Sequence, residues 1–336
     1  MQRCIQLAEN AFGETYPNPM VGSVIVYDDE IIGEGYHKRA GGPHAEINAI
    51  NSVKNPELLH ESTIYVSLEP CSHYGKTPPC AEKLVSAGFK KVVIGTLDPH
   101  EKVNGQGRKI IEDAGIEVVS GILGKECQEL NKRFFTFHQK KRPYIMLKWA
   151  QSSDGFLDKD FKATQIGNPL TKQLVHTLRS REHAILVGTN TALTDNPSLT
   201  TREIVGRNPI RILIDFDLKV PGSNKIFNND SQTIVFNGIK DSDEGNVRYI
   251  KIPKDEMPGK MLEKLYEMQI QSVIIEGGRF TLQKFIDANL WDEAIIIKNE
   301  KLKLKNGTKA PKITSEIVRT DVLDDNVVDY YKNSAS

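Results

Sequence analysis

The first 140 residues alternate between short apolar runs and stretches with helical spacing. In the helical stretches apolar positions recur every three or four residues, and Gly88 closes one of them. Predicted strands cover 21–27, 30–36, 63–68, 92–95 and 116–119, and predicted helices cover 4–12, 80–87, 109–114 and a segment that starts at Pro43. Strands that alternate with helices predict an α/β domain whose sheet is covered on both faces.

The same alternation starts again in the second half of the chain. A charged helix is predicted over 125–139, and Lys140 to Pro143 then has the composition of a linker. Predicted strands follow at 144–151, 184–188, 210–215, 233–236, 247–252, 272–275 and 293–298, with helices at 170–181, 260–268 and 280–288. We therefore expect two domains, 1–142 and 143–336, the second a further α/β domain that does not repeat the first.

Composition narrows the class of protein. Lys and Arg together number 44, as do Asp and Glu. This balance of charge argues against general electrostatic binding to the nucleic-acid backbone. The four cysteines are too few for a disulfide framework in 336 residues. The sequence contains no apolar run of about 20 residues and opens without an export signal. We expect a cytoplasmic homo-oligomer that acts on a small molecule, without a nucleic-acid or membrane partner.

A candidate metal centre lies in the first domain. His44, Cys71 and Cys80 supply three ligands that suit zinc, and Glu46 stands beside them. Pro43 at a first helical position puts His44 and Glu46 at a helix tip, and a helix start at Cys80 favours its thiolate. Three ligands leave a fourth position for water, so the pattern predicts a hydrolytic site in which Glu46 shuttles the proton.

Two other interpretations of these residues stay open at this point. A structural zinc could take His73 as its fourth ligand, or His44 could be a core histidine beside two inert cysteines. A structural site gives Glu46 no purpose, which favours catalysis. Eight residues lie between Cys71 and Cys80, where nucleobase deaminases generally have two, and this polar, basic loop suits a substrate that carries phosphate.

The second domain offers a weaker signal. Its predicted strand at 272–275 runs into Glu276-Gly277-Gly278-Arg279 and then a helix, so backbone amides and Arg279 could hold a phosphate. Gly-Gly before a helix is more often only a tight turn. No Gly-x-Gly-x-x-Gly follows a predicted strand, so a doubly wound dinucleotide domain is not indicated.

Motifs along nearly the whole chain resemble one family. They are Pro17-Asn18-Pro19-x-Val21-Gly22, His37, Gly42-Pro43-His44-Ala45-Glu46, Pro70-Cys71-Ser72-His73-x-Gly75-x-Thr77-Pro78-Pro79-Cys80, Asp98-Pro99, Asn104-Gly105, Gly107 and Leu130-Asn131. Together they resemble the bifunctional deaminase–reductase of riboflavin biosynthesis. The resemblance implies a cytidine-deaminase-like three-layer domain in which His44, Cys71 and Cys80 bind Zn²⁺, Glu46 is catalytic, and Asn18 and His37 line the ring pocket.

For the second domain the resemblance implies a dihydrofolate-reductase-like fold that uses NADPH to open a ribosyl ring into a ribityl chain. Matching stretches are 147–155, 178–179, 188–202 and 276–278. The residues implied to touch NADPH are Ala150, Gln165, Thr191, Asp195, Gly277 and Gly278. The residues implied to hold the substrate are Ala163, Arg179, Leu199, Arg202 and Glu276. Arg179 and Arg202 suit a phosphate clamp, although isolated arginines more commonly form surface ion pairs. Glu276 or Lys148 would move the proton that accompanies the hydride.

One segment departs from that resemblance. Relatives carry a serine, a tryptophan and a further hydroxyl where this chain has Ala163-Thr164-Gln165-Ile166-Gly167. If those side chains normally grip cofactor or substrate, the reductase here binds with lower affinity. Two other functions are also compatible with the zinc motif: a deaminase of a base in tRNA or single-stranded DNA with a non-reductase partner domain, and a metal-stabilised binding module.

Overall fold

The chain folds into two compact units, Met1–Lys141 and Arg142–Ser336. A computed structural model describes residues 1–74, 78–100 and 103–334. Gly75, Lys76 and Thr77, which belong to the loop predicted to face a phosphate, lie outside the described residues. Each unit is built around a sheet of its own.

The first unit contains a five-stranded sheet in the order β2-β1-β3-β4-β5. β1 pairs antiparallel with β2 and β3, whereas β4 is parallel to both β3 and β5. The strands are β1 (Gly22–Tyr27), β2 (Glu30–Tyr36), β3 (Thr63–Leu68), β4 (Lys91–Thr96) and β5 (Glu117–Ser120), and the helices are α1 (Gln2–Glu9), α2 (Ala45–Ser52), α3 (Cys80–Ala87), α4 (Gln106–Asp113), α5 (Gly124–Leu130) and α6 (Lys132–Lys140).

Alternation along the central strands produces the core of this unit. Ile64 and Val66 of β3 and Val92 and Ile94 of β4 are fully buried because the period of two sends them to one face. That face packs against Ala49 of α2, Leu84 of α3 and Ile111 of α4. Burial of each large aliphatic side chain contributes about 1.5–3 kcal/mol. The packing fixes α2 and α3 side by side, and both helices begin at the predicted metal centre.

The second unit contains a ten-stranded sheet in the order β10-β11-β9-β8-β7-β12-β6-β13-β15-β14. The strands from β11 to β13 are parallel, and antiparallel pairs finish both edges. The strands are β6 (Tyr144–Ser152), β7 (Ala184–Gly188), β8 (Ile210–Ile214), β9 (Thr233–Asn237), β10 (Ser242–Glu244), β11 (Val247–Lys251), β12 (Ser272–Ile275), β13 (Glu293–Asn299), β14 (Ile317–Leu323) and β15 (Asn326–Lys332).

In the described part of this unit, the α-helices beside the sheet are α7 (Pro169–Arg181), α8 (Thr189–Asp195), α9 (Gly259–Glu267) and α10 (Arg279–Asp287). Both faces of the central strands are buried. Leu186 of β7 packs in one cluster with residues of α9 and α10, whereas Ile185 and Val187 pack in the other cluster with residues of α7. Because neighbouring strands are parallel, their carboxyl ends meet along one edge, where open α/β sheets bind ligands.

Several predicted elements differ from the structure. α2 begins at Ala45, not Pro43, and α1 covers Gln2–Glu9 rather than 4–12. The helix predicted over 125–139 is two helices, because the Asn131 side chain interrupts it by exchanging two 2.8 Å hydrogen bonds with the backbone of Met20. The hairpin of β14 and β15 was not predicted, since β14 is largely exposed and lacks a clear apolar alternation.

Candidate active sites in the two units

The three predicted metal ligands converge in the first unit. His44 Nδ1 lies 3.2 Å from Cys80 Sγ and 3.6 Å from Cys71 Sγ, and the three atoms lie within 4.8 Å of one another. A tetrahedral zinc ion with bonds of about 2.0–2.3 Å holds neighbouring donors roughly 3.3–3.8 Å apart. The spacing and the soft donor set therefore fit zinc. Among the described residues no other group of His, Cys, Asp and Glu is compact enough to bind a metal.

Two helix starts place these ligands, although not as the sequence predicted. His44 is the N-cap residue of α2, with extended backbone (φ −71°, ψ 165°), so Pro43 precedes the helix instead of opening it. Cys80 does open α3, but its backbone N–H donates to the sulfur of Cys71 at 3.2 Å. The hydrogen bonds from Cys80 and His44 lower the pKa of Cys71 to about 4, while the same contact and burial raise the pKa of Cys80. The backbone N–H at the start of α3 thus donates to the sulfur of Cys71 rather than to that of Cys80.

Glu46 is buried in the first turn of α2, with an exposed fraction of 3%. Burial raises the pKa of its carboxyl group, opposed by the nearby His44. A raised pKa moves a carboxyl group towards the pH range in which a proton shuttle works best.

Asn18 and His37 lie beside the metal ligands. Asn18 Nδ2 is 3.0 Å from His37 Nε2, and the His37 and His44 rings meet edge to face with centroids 5.4 Å apart. His37 Nδ1 is 3.0 Å from the carbonyl oxygen of Pro43, so Nδ1 carries the proton and Nε2 accepts from Asn18. Burial lowers the pKa of His37 and keeps the ring neutral. The structure thus brings both predicted pocket residues to the metal centre.

Sequence reasoning missed Glu69. Its buried carboxylate accepts backbone N–H groups from Asp98 at 3.2 Å, Gly105 at 2.9 Å and Arg108 at 3.1 Å. The acceptor therefore sits at the start of α4, where a negative charge is favoured. A Cβ added at Gly107 would lie 1.9 Å from the Pro70 carbonyl oxygen. These contacts hold α4 against the segment that carries Cys71; the only sequence signal was an acidic residue directly before Pro70-Cys71.

The second unit has a cleft of about 990 Å³ at the carboxyl ends of its parallel strands. Residues after β7, β8 and β12 line it, together with the end of β6. Of the predicted ligand-binding residues, the following line the cleft: Ala150, Ala163, Thr191, Asp195, Glu276, Gly277 and Gly278. Thr191 Oγ1 accepts the N–H of Gly278 at 3.0 Å, so that amide is already bonded.

Four predicted residues lie outside the described lining of this cleft. The exposed Gln165 donates weakly to the Gly167 carbonyl oxygen at 3.3 Å. Leu199 is 3% exposed and packs in the hydrophobic core, so its side chain is not available to a substrate. Arg202 is exposed and, like Arg179, contacts Thr200. Arg179 itself is turned towards Glu276, not free to form half of a phosphate clamp.

A buried ion-pair network borders the cleft. Glu276 accepts two hydrogen bonds from Arg179, at 2.9 and 2.8 Å, and Lys148 Nζ lies 3.5 Å from Oε2, the oxygen that Arg179 Nη2 also contacts. Burial alone would raise the pKa of Glu276, but the two cations outweigh it and lower the pKa to about 2. Burial lowers the pKa of Lys148 despite the carboxylate. Glu276 is therefore an anion, held between the guanidinium of Arg179 and the amino group of Lys148.

Comparison with known proteins identifies the chain. The family model for the cytidine and deoxycytidylate deaminase zinc-binding region matches residues 1–96, and the model for the RibD C-terminal domain matches residues 143–301. In the described residues no helix is both long and apolar enough to span a bilayer.

Individual relatives match over most of their length. The riboflavin biosynthesis protein RibD of Aquifex aeolicus is 38% identical over 88% of this chain and 85% of its own. The crystal structure of a Thermotoga maritima diaminohydroxyphosphoribosylaminopyrimidine deaminase/5-amino-6-(5-phosphoribosylamino)uracil reductase superposes with a TM-score of 0.91 at 34% identity, covering 99% of this chain and 97% of that one. Acinetobacter baumannii RibD (form 1) gives 0.89 at 31% identity, with the same coverage.

These matches decide between the alternatives left open by the sequence. A reductase domain of the RibD type does not fit a nucleic-acid deaminase with a non-reductase partner, nor a binding module without activity. The chain is an enzyme with a zinc-binding deaminase region and a reductase domain. It belongs to the RibD family, the bifunctional deaminase–reductases of riboflavin biosynthesis.

Proposed function

We propose that the first unit removes the amino group of 2,5-diamino-6-(5-phosphoribosylamino)pyrimidin-4(3H)-one by hydrolysis, and that the second unit reduces the ribosyl group of the product to ribityl with NADPH. The observation that carries the first step is the convergence of His44, Cys71 and Cys80 beside the buried Glu46. The observation that supports the second step is the cleft, which contains the buried side chains of Lys148 and Glu276.

In the deaminase site, His44, Cys71 and Cys80 would hold zinc, which when bound would supply the acidity that activates a water molecule near neutral pH. Glu46 accepts a proton from the attacking water and delivers it to the departing amine, a role that its raised pKa supports. Asn18 and His37 orient the pyrimidine ring: the Asn18 amide offers a donor and an acceptor to a heterocycle edge, and the neutral His37 fixes that amide.

In the reductase site, the residues that line the cleft would hold NADPH, which when bound would supply a hydride for reduction of the ribosyl group. Lys148 gives the accompanying proton to the freed sugar oxygen, because its pKa is lowered whereas Glu276 stays ionised. Glu276 holds Lys148 in place and is itself held by Arg179. The first turn of α10, beginning at Arg279, presents backbone N–H groups to the phosphates of the cofactor.

The preference for NADPH over NADH is supported by a basic corner of the cleft. Lys219 and Lys254 line it beyond β8, and Lys254 Nζ lies 5.9 Å from the centre of the Phe216 ring. Asp217 pairs with Lys219 at 2.8 Å, which leaves one net positive charge in this group of three. A cationic side chain next to an aromatic face suits an adenine ring whose ribose carries a 2′-phosphate.

A coupled assay tests both halves. Zinc-loaded protein is supplied with the diaminopyrimidinone phosphate, with and without NADPH, and released ammonia and consumed NADPH are followed together. We expect ammonia in both cases and NADPH consumption only after deamination. Failure to release ammonia would reject the proposed deaminase activity, and ammonia without NADPH consumption at saturating substrate would reject the proposed reductase activity.

The cytoplasmic location and the homo-oligomeric state predicted from the sequence remain predictions. The oligomeric state can be tested by sedimentation.

A further inference from the structure

A tight turn on the rim of the reductase cleft carries an aromatic residue in an unfavourable backbone conformation. Asp160 and Phe161 have φ values of +51° and +61°, and the N–H of Lys162 donates to the carbonyl oxygen of Lys159 at 3.0 Å. Two central residues with positive φ and this hydrogen bond define a type I′ turn, which prefers Asn followed by Gly. A bulky side chain is among the least favoured at the second position.

The turn does not hide this side chain. Phe161 is 68% exposed and lines the cleft. A left-handed backbone conformation is unfavourable for an aromatic residue, and the energy of packing its ring usually offsets this cost. Because the Phe161 ring is exposed, packing within the protein does not offset the cost here.

Side-chain contacts on both sides hold the turn in place. Asp158 Oδ1 accepts the N–H groups of Phe161 and Thr308, each at 3.0 Å. Asn306 Nδ2 donates to Asp160 Oδ1 at 2.8 Å, and the N–H of Leu157 donates to the Thr308 carbonyl oxygen at 2.8 Å. The ring is therefore presented to the cleft by a turn tied to the segment 306–308 before any ligand arrives.

Phe161 lines the same cleft as Ala150, Lys148 and Glu276, so a ligand in that cleft can reach its exposed ring. A planar heteroaromatic ring stacks on an aromatic face without needing specific hydrogen bonds. We propose that Phe161 is a preorganised stacking platform for the heteroaromatic ring of a ligand in this cleft. The proposal rests on the proposed function, in which both NADPH, through nicotinamide, and the substrate, through uracil, bring such a ring.

If Phe161 is such a platform, replacing it should weaken ligand binding without lowering the stability of the protein. Phe161→Asn puts a residue tolerant of left-handed backbone into the turn, so we expect an equal or higher melting temperature. Loss of the stacked face should raise a dissociation constant at least about 5-fold. Phe161→Tyr keeps the face and should bind as the wild type does. Gln269→Asn is the matched control: Gln269 is exposed, has a φ of +59° and lies outside the cleft lining, so stability should rise without a change in binding.

Binding is measured on the full-length protein in two arms, NADPH alone by its fluorescence and 5-amino-6-(5-phosphoribosylamino)uracil alone by calorimetry. Weaker binding of Phe161→Asn in the NADPH arm assigns the platform to nicotinamide, and weaker binding in the uracil arm assigns it to the pyrimidine. Wild-type affinity of Phe161→Asn in both arms overturns the proposal and leaves the reductase function standing. A wild-type protein that binds neither ligand overturns the proposed reductase function, and this inference with it.

Discussion

Arg179 and Glu276 meet at two points, Nε to Oε1 at 2.9 Å and Nη2 to Oε2 at 2.8 Å, with side chains only 13% and 8% exposed. Removing one partner of such a pair leaves a buried charge that is insufficiently compensated. We expect Arg179→Met to lower the free energy of unfolding by about 3 kcal/mol in urea titrations. Because Glu276 also orients Lys148, the same variant should lose reductase activity and keep deaminase activity.

The exposed pair Lys172–Glu203, 2.6 Å apart with side chains 54% and 37% exposed, provides the control. Lys172→Met should change stability by less than about 1 kcal/mol, since water screens this pair. Equal losses from the two substitutions would show that the Arg179–Glu276 pair is no more important than a surface contact.

Replacing Glu46 by Gln should separate chemistry from metal binding. The amide keeps the size of the side chain but cannot carry a proton between water and amine, so ammonia release should fall by about 10²- to 10⁴-fold. The zinc content, measured by atomic absorption, should stay the same because Glu46 is not one of the three converging ligands. Glu57→Gln, an exposed acidic position in the same unit, should leave both unchanged. Full activity in Glu46→Gln protein would refute the proton shuttle.

Lys254→Ala should weaken NADPH binding selectively. If its ammonium group reads the 2′-phosphate, its loss removes a charge-assisted hydrogen bond worth about 1.5 kcal/mol or more, or roughly a tenfold rise in the dissociation constant. The affinity for NADH should hardly change. Lys251→Ala removes an exposed lysine outside the cleft lining and should affect neither cofactor. A parallel loss for NADH and NADPH would place Lys254 elsewhere on the cofactor.

His183 should make stability fall in acid. Burial and the nearby Arg207 lower its pKa to about 3, and its Nδ1 accepts the N–H of Gln271 at 3.3 Å. The unfolded chain, with a pKa of about 6.5, therefore binds more protons than the folded one between pH 6.5 and 3. The stability contributed by neutral His183 is present above pH 6.5 and is lost as pH falls, by at most about 1.4 kcal/mol per pH unit.

Urea titrations from pH 7 to 4 measure this slope. His183→Gln keeps an acceptor but does not titrate in that range, so its slope should be shallower than that of the wild type. Glu276, with its pKa lowered to about 2, should add a further loss of stability only below about pH 4.5. Identical slopes for wild type and His183→Gln above pH 4.5 would exclude His183 as the source.

The sequence predicted elements whose pattern is local and missed features that depend on distant partners. Strands such as β3 and β12 follow from their apolar runs, and the left-handed Gly88 closes α3 as expected. The break at Asn131 depends on Met20, 111 positions earlier. The fold class and the family were confirmed, whereas the individual site residues stay predictions.

The same distinction holds within the sites. The ligand motif could be found because His and Cys have distinctive metal-binding chemistry. Glu69 could not, because its partners are backbone N–H groups, whose positions the sequence does not mark. The pairing of Arg179 with Glu276, 97 positions apart, also redirects an arginine that the sequence alone assigned to phosphate.

The contact between Gly107 and Pro70 limits how this enzyme can change. Because any side chain at position 107 would overlap the Pro70 carbonyl oxygen, α4 can accept one only by moving away from the segment that carries Cys71. Glu69 would then have to follow its amide donors or leave them. A substitution at Gly107, on a helix that contributes no metal ligand, would thus shift the segment that carries the ligand Cys71. We expect other residues at position 107 only together with compensating changes at positions 69 and 70.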